Sequence, residues 1–216
     1  MFMLSGPQRK APSRRRADAP MPLVAVEGAC ASLKLAGVHV TALPCGGLWL
    51  AESRTLIVSD LHLEKASSFA RRGQMLPPYD TRATLSRLEA AMKTQGAARV
   101  VSLGDSFHDV GGPDRMDDAD RERLKSLVTA VEWVWIEGNH DPEIPDALGG
   151  VVTDEIVIDA LTLRHAPKRN AAPGEIAGHL HPCAKVFGRG RSVRARCFAT
   201  DGARLVMPAY GAFTGG

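Results

Sequence analysis

Short runs of apolar, often β-branched residues recur along the chain, and several of them end in Asp, Asn or His. Their length and composition predict buried strands at residues 56–58, 98–103, 131–136, 161–164 and 175–177. Residues 80–95 and 117–130 instead carry apolar residues at helical spacing, and Asp80 or Thr81 can cap the first of these helices. The alternation of strands and helices predicts parallel pairing with right-handed crossovers.

The remainder of the pattern is mostly β. Residues 38–43 and 48–51 flank a Pro-Cys-Gly-Gly turn and predict a hairpin, whereas residues 63–79 are expected to be a connecting loop at the rim of the site. Further strands are predicted at residues 151–152, 155–158, 184–187, 192–198 and 203–207. The sequence therefore predicts an α/β protein with a two-sheet core and flanking helices.

Charge and composition divide the chain into an arm and one domain. The 216 residues carry a net charge of +3, but residues 1–22 hold five cations and one acid, so the arm has +4 and the remainder −1. Residues 1–22 are predicted to be disordered, either as a polybasic arm that attracts nucleic acid or as an unselected extension. Residues 23–216 are predicted to form a single domain.

Cysteine use and hydropathy indicate the compartment. The four cysteines form no Cys-x-x-Cys pair, which favours free thiols in a reducing cytoplasm; Cys183, near His181, is a weaker candidate as a soft metal ligand. No apolar run approaches the roughly 20 residues of a membrane span.

The polar residues that follow the predicted strands have the chemistry of metal ligands. Since carboxyl ends of parallel strands meet at one edge of a sheet, these residues are expected to lie together. Carboxylate, amide and imidazole groups without thiolate suit manganese, iron or zinc, and the set is large enough for two ions. The set is Asp60, His62, Asp105, Asn139, His140, His165, His179 and His181.

In this order and spacing, the motifs resemble the metallophosphoesterase (calcineurin-like) superfamily over residues 55–182. The motifs are Asp60-x-His62, Gly104-Asp105, Gly138-Asn139-His140-Asp141, His165 and Gly178-His179-x-His181. Ser59-Asp60-Leu61-His62-Leu63-Glu64-Lys65, Gly104-Asp105-Ser106-Phe107-His108-Asp109 and residues 208–216 further resemble the ligase-associated DNA damage response endonuclease family of the PdeM type.

The resemblance implies an αββα four-layer fold and a role for each ligand. It implies that one ion is held by Asp60, His62 and His181, that the other is held by Asn139, His165 and His179, and that Asp105 bridges both. His140 would face the scissile phosphate and act as the catalytic residue. Asp141 would orient a neighbouring histidine. His108 stands where many members of the superfamily carry a third acid, and any supporting role at that position is therefore open.

The implied function is a binuclear phosphodiesterase that requires divalent metal, with manganese first and iron or zinc as alternatives. The subfamily resemblance implies a DNA endonuclease in damage response, linked to a ligase and a helicase. A small-molecule or cyclic-nucleotide phosphodiesterase, a phosphatase and a non-catalytic scaffold remain alternatives. The cations after residue 188, including Arg189 and Arg191, either protect a sheet edge or line a groove for a polyanion.

Overall fold

The computed structural model describes residues 23–25, 29–188 and 191–214. The predicted disordered arm, residues 1–22, lies outside this range. In chain order the strands are β1 (Leu23–Ala25), β2 (Ala31–Leu35), β3 (Val38–Ala42), β4 (Leu48–Leu50), β5 (Thr55–Val58), β6 (Arg99–Leu103), β7 (Glu132–Ile136), β8 (Val151–Thr153), β9 (Glu155–Ile158), β10 (Leu161–Arg164), β11 (Glu175–Ala177), β12 (Cys183–Gly188), β13 (Arg191–Thr200) and β14 (Leu205–Val206). The helices are α1 (Lys65–Ala70), α2 (Asp80–Gln95), α3 (Gly112–Arg115) and α4 (Asp118–Ala130), with a 3₁₀ turn at Asp146–Leu148.

Two sheets form the core of the described chain. The first sheet has the order β2-β3-β4-β5-β6-β7-β8, and the second has the order β1-β13-β14-β11-β10-β9, with β12 paired to β13. The strands β5, β6, β7 and β8 are parallel, as the strand–helix alternation predicted, and β10 pairs in parallel with β11. The early hairpin is also confirmed, because β3 and β4 pair antiparallel around the Pro44–Gly47 turn.

The first sheet is buried on both faces. Leu56 and Val58 of β5 pack into a cluster with residues of α2 and α4, whereas Ile57 between them packs into a second cluster with strands of the second sheet. Alternate residues of one strand therefore serve two cores, which explains why this strand reads as a continuous apolar run. The two-sheet core with flanking helices is confirmed. Helices α2 and α4 pack on the first sheet.

Two predicted details differ from the structure. The segment 63–79 contains α1 rather than only loop. The predicted caps of α2 are wrong, because Oδ2 of Asp80 accepts from the Ala66 N–H at 3.0 Å and Oγ1 of Thr81 accepts from the Glu64 N–H at 2.9 Å. Both side chains thus stabilise the beginning of α1, a neighbouring helix that was not predicted. No helix in the described part of the chain is long and apolar enough to cross a membrane.

Candidate metal centre

The loop after β5 carries Asp60 and His62 in an unusual backbone conformation. The strand ends at Val58, and the φ angles of Asp60 and His62 are 52° and 42°, in the left-handed region. Asp and His are among the residues that adopt this left-handed region most readily. Each such residue costs about 1–3 kcal/mol and persists only where the surrounding structure holds it, so the loop is kept in a strained form at the site.

Asp105, which follows β6, lies between the two groups of candidate ligands. Its Oδ2 atom is 3.7 Å from Nε2 of His62, and its Oδ1 atom is 3.4 Å from Nε2 of His165. The Oδ1 atom also accepts from the His140 N–H at 3.0 Å. One buried carboxylate therefore presents one oxygen to each side.

The predicted ligands converge in two clusters whose ligand atoms lie within 4.8 Å of one another. One cluster is formed by Asp60, His62 and His181, and the other by Asp105, His165 and His179. Asn139 joins the second cluster, because its Oδ1 atom is 2.9 Å from Nε2 of His165. Every residue predicted to bind metal thus lies in one of these clusters.

The ring of His165 is oriented by the backbone. Its Nδ1 atom is 2.9 Å from the Leu103 carbonyl oxygen, which can only accept, so Nδ1 carries the proton and donates it. In the neutral ring, Nε2 then carries a lone pair, and Nδ1 of His179 is 3.1 Å away from it. A backbone carbonyl that fixes the tautomer in this way is typical of histidines that bind metals.

The electrostatics of the first cluster favour unprotonated ligands. Burial, together with the charges of nearby histidines, lowers the pKa of His62 to about 3, although the charge of Asp60 opposes this shift. Burial raises the pKa of Asp60, but His181 and Ser59 hydrogen-bond to it and lower its pKa overall. At neutral pH, His62 is therefore a neutral imidazole and Asp60 a carboxylate, the forms that bind a cation.

The donor set fits divalent metal. In the second cluster, the Nε2 lone pair of His165 faces the acceptor-only carboxylate of Asp105 at 3.4 Å. In the first, Nδ1 of the buried His62 has no hydrogen-bond partner among the described residues. Converging lone pairs repel one another unless a positive charge lies among them. These oxygen and nitrogen donors suit a divalent cation of the manganese, iron or zinc type.

His140 lies at the open side of the centre. Its side chain is 41% exposed, and its Nε2 atom is 3.9 Å from Oδ2 of Asp105. Its Nδ1 atom is 2.8 Å from the carbonyl oxygen of His108 and therefore donates to it. The ring is held from the protein side, and Nε2 is left facing the centre.

His108 brings a third imidazole to this side. Ligand atoms of His62, His108 and His140 also lie within 4.8 Å of one another. Burial lowers the pKa of His108, and the charge of Lys65 lowers it further. A neutral ring therefore lies beside His62 and His140 at the open side of the centre.

Asp141 supports the loop that carries Asp105. Its Oδ2 atom accepts from the Phe107 N–H at 2.8 Å, and its other oxygen has no hydrogen-bond partner among the described residues. Burial raises the pKa of Asp141 to about 7, although backbone hydrogen bonds from residues 105–107 oppose this. The expectation that Asp141 orients a histidine is thus not met, since its hydrogen bonds go to the backbone beside Asp105.

At two positions, a glycine allows the backbone to lie close to residues of the metal centre. A Cβ atom at Gly138 would overlap the backbone nitrogen of Asp105 and lie 2.6 Å from Oδ1 of Asp141. A Cβ atom at Gly178 would overlap Oγ of Ser59 and lie 2.6 Å from Oδ2 of Asp60. At both positions, therefore, the neighbouring side chains and backbone pack in the space that a side chain would fill.

Sequence reasoning missed several supports of the site. Ser59 donates a hydrogen bond to Oδ2 of Asp60. The backbone N–H groups of Tyr210 and Gly211 donate to the carbonyls of Ser59 and Asp60 at 2.7 and 3.1 Å. The serine hydroxyl beside Asp60 was a usable signal, but backbone contacts from the C-terminal loop leave no mark on the sequence.

The predicted basic residues divide into different roles. Arg196 donates to the carbonyls of Ala209 and Ala212 at 2.9 and 3.1 Å and so fixes the C-terminal loop. Arg189 lies outside the described residues, and Arg191 begins β13. Cys183 is not part of any metal-type cluster among the described residues, and its sulfur accepts from Nε of Arg194 at 3.2 Å.

Comparison with solved structures finds a nuclease of similar fold. A nuclease named MPE from Pseudomonas putida is 28% identical, with a TM-score of 0.70 over 87% of this chain and 90% of that chain. YfcE, a phosphoesterase from E. coli, is 19% identical with a TM-score of 0.41 over 75% and 82% of the two chains, too weak to argue from. No protein-family model and no curated sequence matches this chain.

The fold, the site chemistry and this likeness agree. A two-sheet core carries Asp, Asn and His side chains from neighbouring strand ends into clusters that can bind divalent metal. A nuclease has the same fold over nearly its whole length. The chain is therefore a metal-dependent phosphoesterase with a metallophosphoesterase-like fold, and it is similar to a bacterial nuclease.

Proposed function

We propose that this protein is a binuclear metal-dependent phosphodiesterase that cleaves DNA internally. The observation that carries the proposal is the position of Asp105, whose two carboxylate oxygens face His62 at 3.7 Å and His165 at 3.4 Å. A shared carboxylate between two clusters is the arrangement that two neighbouring cations require.

The residues would divide as the resemblance implies. Asp60, His62 and His181 would hold one ion, and Asn139, His165 and His179 the other, with Asp105 shared. The grouping of ligand atoms into two clusters supports this division. Manganese is the metal we favour because the donors are oxygen and imidazole, with iron or zinc as alternatives.

The bound ions would supply positive charge at the phosphoryl oxygens and lower the pKa of a coordinated water. The protein itself contributes to the reaction by orienting the His140 ring. The backbone holds Nδ1 of His140 through the His108 carbonyl, so that Nε2 faces the place where a phosphodiester would lie. As an imidazolium, His140 can donate its Nε2 proton to the leaving oxygen.

The choice of DNA as the substrate is a more specific proposal than the phosphodiesterase activity. The likeness to a nuclease over 90% of that chain supports a nucleic-acid substrate. A role in DNA damage response, a functional link to a ligase and a helicase, and a cytoplasmic location follow from the subfamily resemblance and the cysteine pattern. We also infer that residues 23–216 act as one domain, because the candidate ligands come from both sheets.

The test compares three substrates on chelator-stripped protein with manganese restored. Bis-p-nitrophenyl phosphate reports diester cleavage, p-nitrophenyl phosphate reports monoester cleavage, and a supercoiled plasmid reports nicking. The variant Asp105→Asn keeps the size of the side chain and removes the shared charge. Asp154→Ala, an exposed acid after β8, is the matched control and should behave as the unchanged protein.

We expect diester cleavage and plasmid nicking, both lost in Asp105→Asn and retained in Asp154→Ala. Diester cleavage with an intact plasmid would instead indicate a small-molecule phosphodiesterase. Preference for the monoester would indicate a phosphatase. No hydrolysis with manganese, iron or zinc would leave a non-catalytic scaffold and overturn the proposal.

A further inference from the structure

The hairpin formed by β12 and β13 has a strongly basic sequence. The sequence from residue 183 to residue 196 contains five cations and no acid: Lys185, Arg189, Arg191, Arg194 and Arg196. In the second sheet β12 pairs with β13, off the main order of strands, so the hairpin forms a two-stranded ribbon. Its charge is that of a surface that meets a polyanion.

The register places cations and an aromatic ring on one face of this ribbon. Lys185 pairs with Arg194, and Phe187 pairs with Ser192. Residues two apart on a strand, and residues directly opposite across strands, share a face. Lys185, Phe187 and Arg194 therefore lie on the same side.

Phe187 is exposed in a way that a core residue is not. Its side chain is 75% accessible, and Nζ of Lys185 lies 5.3 Å from the centre of its ring. Burial of an apolar ring stabilises a fold, so an exposed ring such as Phe187 contributes little to the stability of the protein. A bare aromatic face beside cations is the surface on which an unpaired base stacks while its phosphates meet the cations.

The same face is joined to the candidate metal centre. Cys183 begins β12 two residues after His181, and it pairs with Arg196. The guanidinium of Arg196 binds the C-terminal loop, whose Gly211 N–H in turn donates to the Asp60 carbonyl at 3.1 Å. The face that carries Phe187 thus turns towards the loop that supports Asp60.

The length of the ribbon suits a segment of several nucleotides. From Cys183 to Phe187 the strand extends about 14 Å at 3.4 Å per residue. A nucleic-acid strand rises about 3.4 Å per nucleotide when its bases are stacked, so roughly four nucleotides match this distance. A strand that lies along the ribbon can therefore reach the metal centre at its base.

We propose that the β12–β13 hairpin is the platform that holds an unpaired stretch of DNA beside the metal centre. In this arrangement Phe187 stacks on a base, and Lys185 and Arg194 contact phosphates on either side. The inference rests on the proposed nuclease function, and it adds the surface that holds the strand and the unpaired state of the bases at that surface. The competing explanation is a charged edge that only prevents strand pairing.

The experiment measures binding and cleavage on separate readouts. Affinity of the chelator-stripped full chain for a fluorescein-labelled oligothymidine and for a duplex of equal length is measured by anisotropy at several salt concentrations. Cleavage of the same oligonucleotide and of bis-p-nitrophenyl phosphate is measured with manganese. The variants are Phe187→Ala, Phe187→Trp and Arg194→Gln, with Lys34→Gln on β2 as the charge-matched control.

We expect Phe187→Ala to weaken binding of the single strand roughly tenfold, as the loss of one stacked base predicts. Phe187→Trp should restore it, and the loss of oligonucleotide cleavage should exceed any loss with bis-p-nitrophenyl phosphate by a similar factor. Arg194→Gln should reduce the salt slope by about 0.7, the value of one phosphate contact, whereas Lys34→Gln should leave it unchanged.

Two outcomes would overturn the platform alone. Phe187→Ala could bind the single strand as the unchanged protein does, or it could lose equal affinity for single strand and duplex, which excludes base stacking. The nuclease proposal fails differently: the unchanged protein would hydrolyse bis-p-nitrophenyl phosphate and neither bind nor cut the oligonucleotide. That result would remove both proposals together.

Discussion

The Nδ1 atom of His140 lies 2.8 Å from the carbonyl oxygen of His108, and this contact decides which nitrogen of the ring serves the reaction. Because a carbonyl only accepts, Nδ1 is the protonated donor and Nε2 faces the centre. The bond comes from the backbone, so it survives any change of the His108 side chain.

The first prediction concerns His140. His140→Ala should bind metal as the unchanged protein does and lose roughly 10²–10⁴-fold in kcat for bis-p-nitrophenyl phosphate, the contribution of a positioned general acid. Metal content by mass spectrometry and steady-state rates measure the two effects. His39→Ala, which removes an exposed histidine from β3, should change neither. Full activity of His140→Ala, or loss of its metal, would contradict the role assigned to the ring.

Much of this site could be predicted from the sequence, because the candidate ligands follow short apolar strands. The strand ends at residues 58, 103, 136, 164 and 177 are all close to their predicted positions. Parallel pairing brings the first three to one edge of the first sheet and the last two to one edge of the second sheet. The residue types carry the chemistry, and the topology follows from alternating strands and helices. Ligand positions were therefore readable from local pattern alone.

What could not be read from the sequence depends on contacts between distant segments. Asp80 is a residue type that often caps helices. It lies at the beginning of α2, yet its side chain caps α1, because α1 packs beside it. The left-handed backbone at Asp60 and His62 is likewise imposed by surroundings, including the C-terminal loop. The conformational propensity of a residue depends on its local sequence, so it could not predict these contacts between distant segments.

A second prediction tests the close approach at Gly138. Gly138→Ala should lower metal affinity, because its Cβ would overlap the Asp105 backbone and displace the shared carboxylate. Overpacking of this kind also costs about 1–3 kcal/mol of stability. Gly202→Ala is the control: its φ is 85° and its surroundings are open, so it should lower Tm by strain alone and leave metal affinity intact. Calorimetric titration with manganese separates the two, and equal metal affinity in both variants would exclude the packing argument.

A third prediction tests the cap that Asp80 provides to α1. Asp80→Ala should cost about 0.5–2 kcal/mol, the usual value of a lost cap, and lower Tm by about 2–4 °C per kcal/mol. Asp80→Asn keeps an oxygen that can accept from the Ala66 N–H and should restore most of the loss. Hydrogen exchange at the first turn of α1 should quicken in the alanine variant. Equal stability of the two variants would mean that the hydrogen bond contributes nothing.

The last prediction concerns the buried carboxyl of Asp141 in metal-free protein. Burial raises its pKa to about 7 in the folded protein, against an ordinary value of 3.8 for an aspartate. Between these values the unfolded chain releases the proton and the folded chain keeps it, so this group lowers the free energy of unfolding as pH rises from about 4 to 7. The penalty is complete above pH 7, with an upper bound of about 4 kcal/mol.

Asp141→Asn cannot titrate and still offers an acceptor to the Phe107 N–H, so its Tm should equal that of the unchanged protein near pH 4 and exceed it increasingly up to pH 8. Thermal unfolding of chelator-stripped protein across this range measures the difference. A constant difference at every pH would show that folding does not raise the pKa of Asp141 and would contradict this prediction.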